Sequence, residues 1–347
     1  VGFVSYLALC DAGKMNLYSS VLRPFLFKMD AETAHSMALG ALQLLGRSLF
    51  VSTFVRKAFL PAKDDGFTAF GMHFKNRLGI AAGFDKDAKA LWGVYALGFG
   101  FAEVGSVSYM PWKGNPKPRI FRVPEENALI NRVGLPSEGA EKVKERLASK
   151  PPFPVFVNIA KTGDPTVVGD KAIEDICMCA ATLAPVADAF VLNLSCPNTP
   201  DGQTFQDPSL LSLLLKSLCL FEVSKKVPLF LKVSPDLDSE TLSKIAITGL
   251  ESGAKGFVAT NTSKGALSRL RTVYSGGVSG KPILEMALKA VKTLKSLCRD
   301  DAVIIGCGGV FCHEDYVRFR DAGADLVEVY TGFVYQGPFV VRKVLSG

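Results

Sequence analysis

Histidine is scarce in this chain: of 347 residues only His35, His73 and His313 carry an imidazole. They stand far apart and in no ligand-like pattern, which argues against a histidine-built metal centre. The eight cysteines show no paired C-x-x-C spacing, and several lie inside apolar runs. Cys177 and Cys179 fall two apart on an expected helix and so face different ways. Neither a metal site nor a disulfide framework is expected, and the cysteine usage reads as that of a reducing compartment. No run approaches the ~18 uncharged apolar residues of a spanning helix, and the opening GFVSYLALC lacks the basic region and small-residue cleavage site of a secretory signal. Also missing are a G-x-G-x-x-G that leads from a strand into a helix and a G-x-x-x-x-G-K-[ST], so a Rossmann dinucleotide site and a P-loop are not expected.

What is present is a globular composition, 48% hydrophobic, enough for a sizeable core. The net charge of +7 fits an acidic partner such as a membrane surface, an anionic substrate or nucleic acid, and fits a mildly basic soluble enzyme at least as well. Residues 1–60 read as a helical N-terminal region. Within it LYSSVLRPFLF, a cap at Asp30, AETAHSMALGALQLLGRSLF and STFVRKAF give two or three short amphipathic helices over Leu17 to Phe59. Arg23, Lys28, Arg47, Arg56 and Lys57 outnumber Asp30 and Glu32 here. A basic helical pair of this kind suits the surface of an anionic bilayer or a helical cap packed on the main domain.

From about residue 61 to 347 the texture alternates between strand and helix. Eight apolar runs qualify as strands: 78–83, 101–107, 155–160, 190–195, 229–234, 256–261, 302–309 and 326–332. Eight strands with intervening helices predict a closed eight-stranded parallel β/α (TIM) barrel, an α/β fold in which strands buried on both faces read as continuous apolar runs. Such barrels carry their chemistry at the C-terminal strand ends, where polar and glycine residues cluster in this chain. Ala81, Ala82, Gly83 and Lys86 follow the first strand, Gly105 and Ser106 end the second, and Asn158 ends the third. Asn193 and Cys196 close the fourth, and Lys232 lies in the fifth. Thr260, Asn261 and Thr262 end the sixth, Gly308 and Gly309 the seventh, Tyr330 and Thr331 the eighth. Gly276, Gly277, Gly280 and Gly332 add to the glycines of the last loops, the usual phosphate position in this barrel. A lysine inside an apolar strand, as at Lys232, needs a partner, and a flavin that becomes anionic on reduction would be one. A long excursion from Tyr109 to Gly139 carries Arg119, Arg122, Asn131 and Arg132; length of this kind is usually functional, and a surface hairpin with solvated arginines is the plainer alternative.

In order, AAGFDKD, EVGSVS, GNPKPRIFRVPEENALINRVG, LNLSCPNT, LKVSPDL, TNTS, GGVSGKP, IGCGGV and YTG resemble dihydroorotate dehydrogenase from about Leu17 to the C-terminus. The helical region resembles the membrane-associated, quinone-using class. The resemblance implies oxidation of dihydroorotate to orotate in pyrimidine synthesis, with flavin mononucleotide (FMN) as bound acceptor and quinone as final acceptor. No nucleic-acid partner is implied. It implies FMN contacts from Ala81, Ala82, Gly83, Gly105, Ser106, Asn158, Asn193, Lys232, Thr260, Ser279, Gly280, Gly308, Gly309, Tyr330 and Thr331. Substrate contacts would come from Lys86, Asn131, Arg132, Val133, Gly134, Leu135, Asn193, Asn198, Asn261 and Thr262. Arg122 and Tyr330 would line the quinone path. The protein would sit as a peripheral membrane protein on the cytoplasmic face of a bacterial inner membrane. Cys196 stands where the quinone-using class usually has serine, a cysteine being the habit of the soluble fumarate- or NAD-using classes. Leu135 stands where phenylalanine is expected, and Pro136 where asparagine is. Cys196 is the expected base for the proton at ring carbon five.

Overall fold

The computed structural model describes residues 18–60, 65–194, 205–220 and 227–346. Cys196 and Asn198 lie outside the described residues. A short hairpin, β1 (Phe67–Ala69) and β2 (Met72–Phe74), leads into β3 (Leu78–Ile80) and β4 (Phe101–Val107). A second hairpin, β5 (Ile120–Val123) and β6 (Ala128–Asn131), interrupts the barrel before β7 (Val155–Ile159), β8 (Ala189–Asn193), β9 (Leu229–Val233) and β10 (Gly256–Ala259). β11 (Gly277–Gly280) leaves the barrel again, and β12 (Val303–Cys307) and β13 (Leu326–Val329) complete it. Pairing runs β3-β4-β7-β8-β9-β10-β12-β13 and closes on β3, each of these pairs being parallel. Every expected strand is therefore present, and β4, β7 and β9 are buried along their whole length, as strands covered on both faces must be.

Among the described residues a π-helical turn (Tyr18–Leu22) and three α-helices precede the barrel: α1 (Arg23–Lys28), α2 (Ala31–Gly46) and α3 (Leu49–Phe59). The expected cap is present, since the Asp30 carboxylate accepts the Thr33 N–H at 2.9 Å, and Ser48 caps α3 in the same way. The two longer helices meet at 110°, and no single helix among the described residues is long and apolar enough to cross a membrane. One face of the pair is packed: Leu42, Val55 and Phe59 join the main core. Arg56 is buried with them, its guanidinium 4.0 Å from the Tyr95 ring centroid and donating to the Tyr95 and Phe99 carbonyls. Arg56 is thus not one of the outward cations. Lys28, Arg47 and Lys57 are exposed, beside exposed Phe25, Leu44, Leu49, Phe50 and Phe54.

The next helix, α4 (Leu91–Ala96), is shorter than the run from Asp87 to Gly98 suggests. The Asp85 carboxylate accepts the N–H groups of Lys89 and Ala90, both at 2.7 Å, and Ala88 has φ of 56°, so a turn stands where the helix would begin. The outer layer comprises α5 (Ala140–Leu147), α6 (Asp170–Leu183), α7 (Pro208–Leu220), α8 (Ser239–Glu251), α9 (Leu284–Cys298) and α10 (His313–Asp321). α11 (Thr331–Gln336) and α12 (Val340–Ser346) follow the last strand.

Alternation along the strands organises the barrel interior, because residues two apart share a face. At the N-terminal end Phe101, Phe156, Val191, Phe230, Val258, Ile305 and Leu326 form one apolar floor, sealed by Phe74 of β2. Two residues further on, the same strands present Glu103, Asn158, Asn193, Lys232, Thr260, Cys307 and Glu328. The change from hydrocarbon to polar groups occurs within one rung.

Candidate active site

Above that rung lies a cavity of about 220 Å³ at the C-terminal strand ends. The β3 loop brings Ala81, Ala82, Gly83 and Lys86 to its wall; Ser106, Asn158, Asn193 and Lys232 come from the middle strands. Thr260, Asn261 and Thr262 follow β10, and Gly308, Gly309, Tyr330 and Thr331 follow β12 and β13. Residues 109–139 and β11 complete it: β5, β6 and β11 form a three-stranded antiparallel sheet, which contributes Asn131, Ser279 and Gly280, with Val133, Gly134 and Leu135 just beyond β6. Leu135 is buried with φ of 55°, a left-handed conformation unusual for its type.

Among the described residues, three of those expected at the site or on its approach stand outside the lining. Gly105 lies behind it with φ of 106°, where a Cβ would come within 2.4 Å of the Asn158 carbonyl oxygen. Arg132 turns outward, donating to Ser275 Oγ at 3.2 Å and the Pro118 carbonyl at 3.3 Å. Arg122, expected on the quinone path, links β5 to the helical region, donating to the Met29 carbonyl at 2.8 Å with its guanidinium 4.8 Å from the Phe27 ring centroid. Near it, Phe27, Tyr330 and Val334 pack on Leu129, Phe311 and Tyr335 as an apolar cluster. Burial pushes the Tyr330 hydroxyl up to about 12.

An amide relay fixes the polar rim. Asn193 Nδ2 donates to Ser106 Oγ at 3.0 Å, Asn261 Nδ2 donates to Asn193 Oδ1 at 3.1 Å, and Asn261 Oδ1 accepts the Thr262 N–H at 2.8 Å. On the opposite rim Ser279 and Thr331 hydroxyls are 2.9 Å apart. Glycine is required there: a Cβ on Gly280 would lie 2.3 Å from the Asn127 carbonyl oxygen, and one on Gly309 would lie 2.7 Å from Leu284 Cβ.

The deepest part is ionic. Lys232 Nζ donates to Glu103 Oε2 at 2.7 Å and lies 3.7 Å from Glu328 Oε2, all three side chains being buried. Asn158 Nδ2 donates to Glu103 Oε1 at 2.6 Å, while Asn158 Oδ1 is buried without a hydrogen-bond partner among the described residues. Burial opposes charge on Glu103, but the Lys232 ammonium and these hydrogen bonds hold its carboxyl below the ordinary range. Burial and the neighbouring Glu103 charge push Glu328 well above it. Lys232 is raised, burial being outweighed by the two carboxyls.

Several lining residues carry no motif and escape sequence reasoning. Glu32 and His35 reach the cavity from α2. Glu32 accepts from Arg119 Nη2 at 2.7 Å and Nε at 3.2 Å, so Arg119 is not a solvated arginine; burial lowers His35, whose ring meets Phe84 edge-on at 5.1 Å. Glu103 and Glu328 did have a signal, the one that singled out Lys232: a charge in an otherwise apolar strand.

The residues present fit a flavin. The unpartnered Asn158 Oδ1 offers an acceptor to a ring N–H, Lys232 offers positive charge, and the glycine rim leaves backbone open to a phosphate.

Comparison with known proteins bears on the same site. Residues 67–347 match the family model described as dihydroorotate dehydrogenase. A protein of Acidithiobacillus ferrooxidans named dihydroorotate dehydrogenase (quinone) is 38% identical over 341 residues, 94% of this chain and 93% of the relative. A protein of the same name from Thermus thermophilus is 41% identical over 331 residues, covering 93% and 94%. The ligand-free DHODH structure from Eimeria tenella superposes with a TM-score of 0.78 at 33% identity, covering 91% of this chain and 93% of that one.

Proposed function

Since the chain belongs to the dihydroorotate dehydrogenase family, we propose that the cavity above Lys232 is where dihydroorotate is oxidised, with FMN as the bound flavin. Membership makes the protein a flavin-dependent oxidoreductase of pyrimidine biosynthesis that converts dihydroorotate to orotate and uses a quinone. The finer reading assigns groups to that chemistry. Its main support is the buried Lys232–Glu103 pair beside the unpartnered Asn158 Oδ1, a cationic floor with a free acceptor under a glycine rim.

FMN would be held by Asn158 and Lys232 at its ring and by Gly280, Gly308, Gly309 and Thr331 around its phosphate. When bound it supplies the two-electron acceptor. Lys86, Asn131, Asn193, Asn261 and Thr262, with Asn198 outside the described residues, would orient dihydroorotate, whose carbonyls need donors and whose ring N–H groups need acceptors. Cys196 is the proposed base: an unperturbed thiol titrates at about 8.5, much nearer neutrality than a hydroxyl. Residues 61–347 would form the catalytic domain and residues 1–60 the quinone entrance. Exposed Phe25, Leu49, Phe50 and Phe54 with Lys28, Arg47 and Lys57 support a peripheral seat on an anionic bilayer, on the cytoplasmic face of a bacterial inner membrane.

Anaerobic dihydroorotate should bleach the flavin of the purified protein, and a short-chain quinone, not fumarate, should restore its colour. Cys196→Ala should retain FMN and bleach about 10²–10⁴-fold more slowly; near-normal bleaching would remove Cys196 from the mechanism. Reoxidation by fumarate alone would overturn the quinone assignment. Binding to anionic vesicles should weaken as salt is raised, and vesicle binding equal to that of a variant lacking residues 1–60 would defeat the helical seat.

A further inference from the structure

One ammonium and two carboxyls share a buried rung of the barrel with the Cys307 thiol, and their charges do not balance. One ammonium, Lys232, neutralises one carboxylate; a second buried negative charge would be left over, costing several kcal/mol. The geometry decides which carboxyl is ionised. Glu103 accepts from Lys232 Nζ at 2.7 Å and from Asn158 Nδ2 at 2.6 Å. Glu328 stands 3.7 Å from Nζ, and its two buried oxygens make no hydrogen bond of good geometry among the described residues, with the Glu103 carboxyl and the Cys307 thiol beside them. The groups around it are Glu103 on β4, Asn158 on β7, Lys232 on β9 and the buried thiol of Cys307, its direct register partner on β12; Gly79 opposite it on β3 has no side chain. None of these supplies a second positive charge. Glu328 also lines the cavity.

We infer that Glu328 is a neutral carboxylic acid that donates a hydrogen bond to the bound flavin beside Lys232, a residue of the redox site with no counterpart in any motif of the sequence. A carboxylic acid kept protonated in a dry site becomes a donor where a carboxylate could only accept, and a donor aimed at developing negative charge speeds the step that creates it. Lys232 is already paired with Glu103, so much of its charge is spoken for, and the Glu328 hydroxyl is the additional group able to meet an anionic ring. The inference rests on the reading of this cavity as the FMN site.

The test uses the FMN holoenzyme. Infrared spectra of the wild type near neutral pH should contain the carbonyl stretch of a protonated carboxylic acid that shifts in D₂O, that is lost in Glu328→Gln and Glu328→Met, and that moves when the flavin is reduced. Glu328→Met, which has no donor, should bleach with dihydroorotate about tenfold to a hundredfold more slowly and show a lowered flavin reduction potential. Glu328→Gln, whose amide donates without a titratable proton, should recover most of both. A wild type without such a band, a band that ignores flavin reduction, or a Glu328→Met protein with full FMN and an unchanged potential would each overturn the inference. If the methionine variant does not fold, the wild-type band and the glutamine variant still decide. A wild type that binds no FMN, or whose FMN dihydroorotate does not bleach, would instead overturn the reading of the site, because the band of a buried acid does not depend on it.

Discussion

The floor of the barrel and the rung directly above it are made by the same strands and differ in every physical respect. On the floor Phe74, Phe101, Phe156 and Phe230 meet ring to ring, with centroids 5.1–6.2 Å apart along the contacts that join them. Gly256 makes room for this: a Cβ there would come within 2.4 Å of the Phe230 ring. One rung higher the same strands hold an ion pair, a second buried carboxyl and an amide with an unmet acceptor among the described residues. Hydrocarbon packed at this density stabilises the fold. Buried charge does so poorly, since desolvation offsets most of the attraction. Stability explains the floor, and only a ligand explains the rung.

The largest expected effect separates the two layers from above. Lys232→Met should slow bleaching by dihydroorotate about 10²–10³-fold, the loss typical of one group aimed at developing charge. Rates are to be compared at saturating FMN and with circular dichroism as a check on folding, because the substitution also removes the Glu103 partner and a proposed FMN contact. An unchanged reductive half-reaction at full FMN occupancy would erase the functional difference between the rungs.

The next effect approaches from below. Phe230→Ala should lower unfolding free energy by about 3–5 kcal/mol, the usual consequence of removing a fully buried ring. Below the melting transition its bleaching rate should stay within a few-fold of wild type. A rate loss as large as that of Lys232→Met would mean that the floor shapes the chemistry directly.

The smallest effect concerns a partly exposed charge cluster away from the cavity lining, where the rung's reasoning should fail. Glu138 is drawn to about 2, chiefly by hydrogen bonds from Lys89 and Arg146, with burial opposing. A depressed carboxyl contributes stability that is complete above its ordinary 4.5 and is lost as pH falls towards 2. Solvent screening limits that contribution to less than about 1 kcal/mol. Glu138→Gln should therefore lower the melting temperature slightly at neutral pH and leave it unchanged near pH 2; the same shift at both pH values would contradict the ion-pair origin.

Alternation and strand count were legible in the sequence because both are local. Each barrel strand buries both faces, so its run is apolar, and its end is marked by the glycine or amide that follows. The same logic located Lys232, Asn158, Asn193 and the glycines of the last two loops. Arg132 misled because its neighbours in the motif do face the cavity; the register of β6 with β5 and β11 turns its guanidinium towards Pro118 and Ser275. Arg56 misled because a basic residue on an amphipathic helix reads as solvated, whereas here backbone carbonyls at Tyr95 and Phe99 receive it.

The sequence by itself determined the order of the eight strands, the polar ends that would gather at one mouth, and the family to which such an ordered set belongs. Only the tertiary structure decided which charges meet. Lys232 and Glu103 are 129 residues apart, and Glu328 lies on the strand that closes the barrel against β3. A pattern of period two says that each of these side chains points inward, but protonation depends on distances measured across the closed ring. Closure brought two carboxyls to one ammonium, and that stoichiometry leaves Glu328 without a counter-charge of its own.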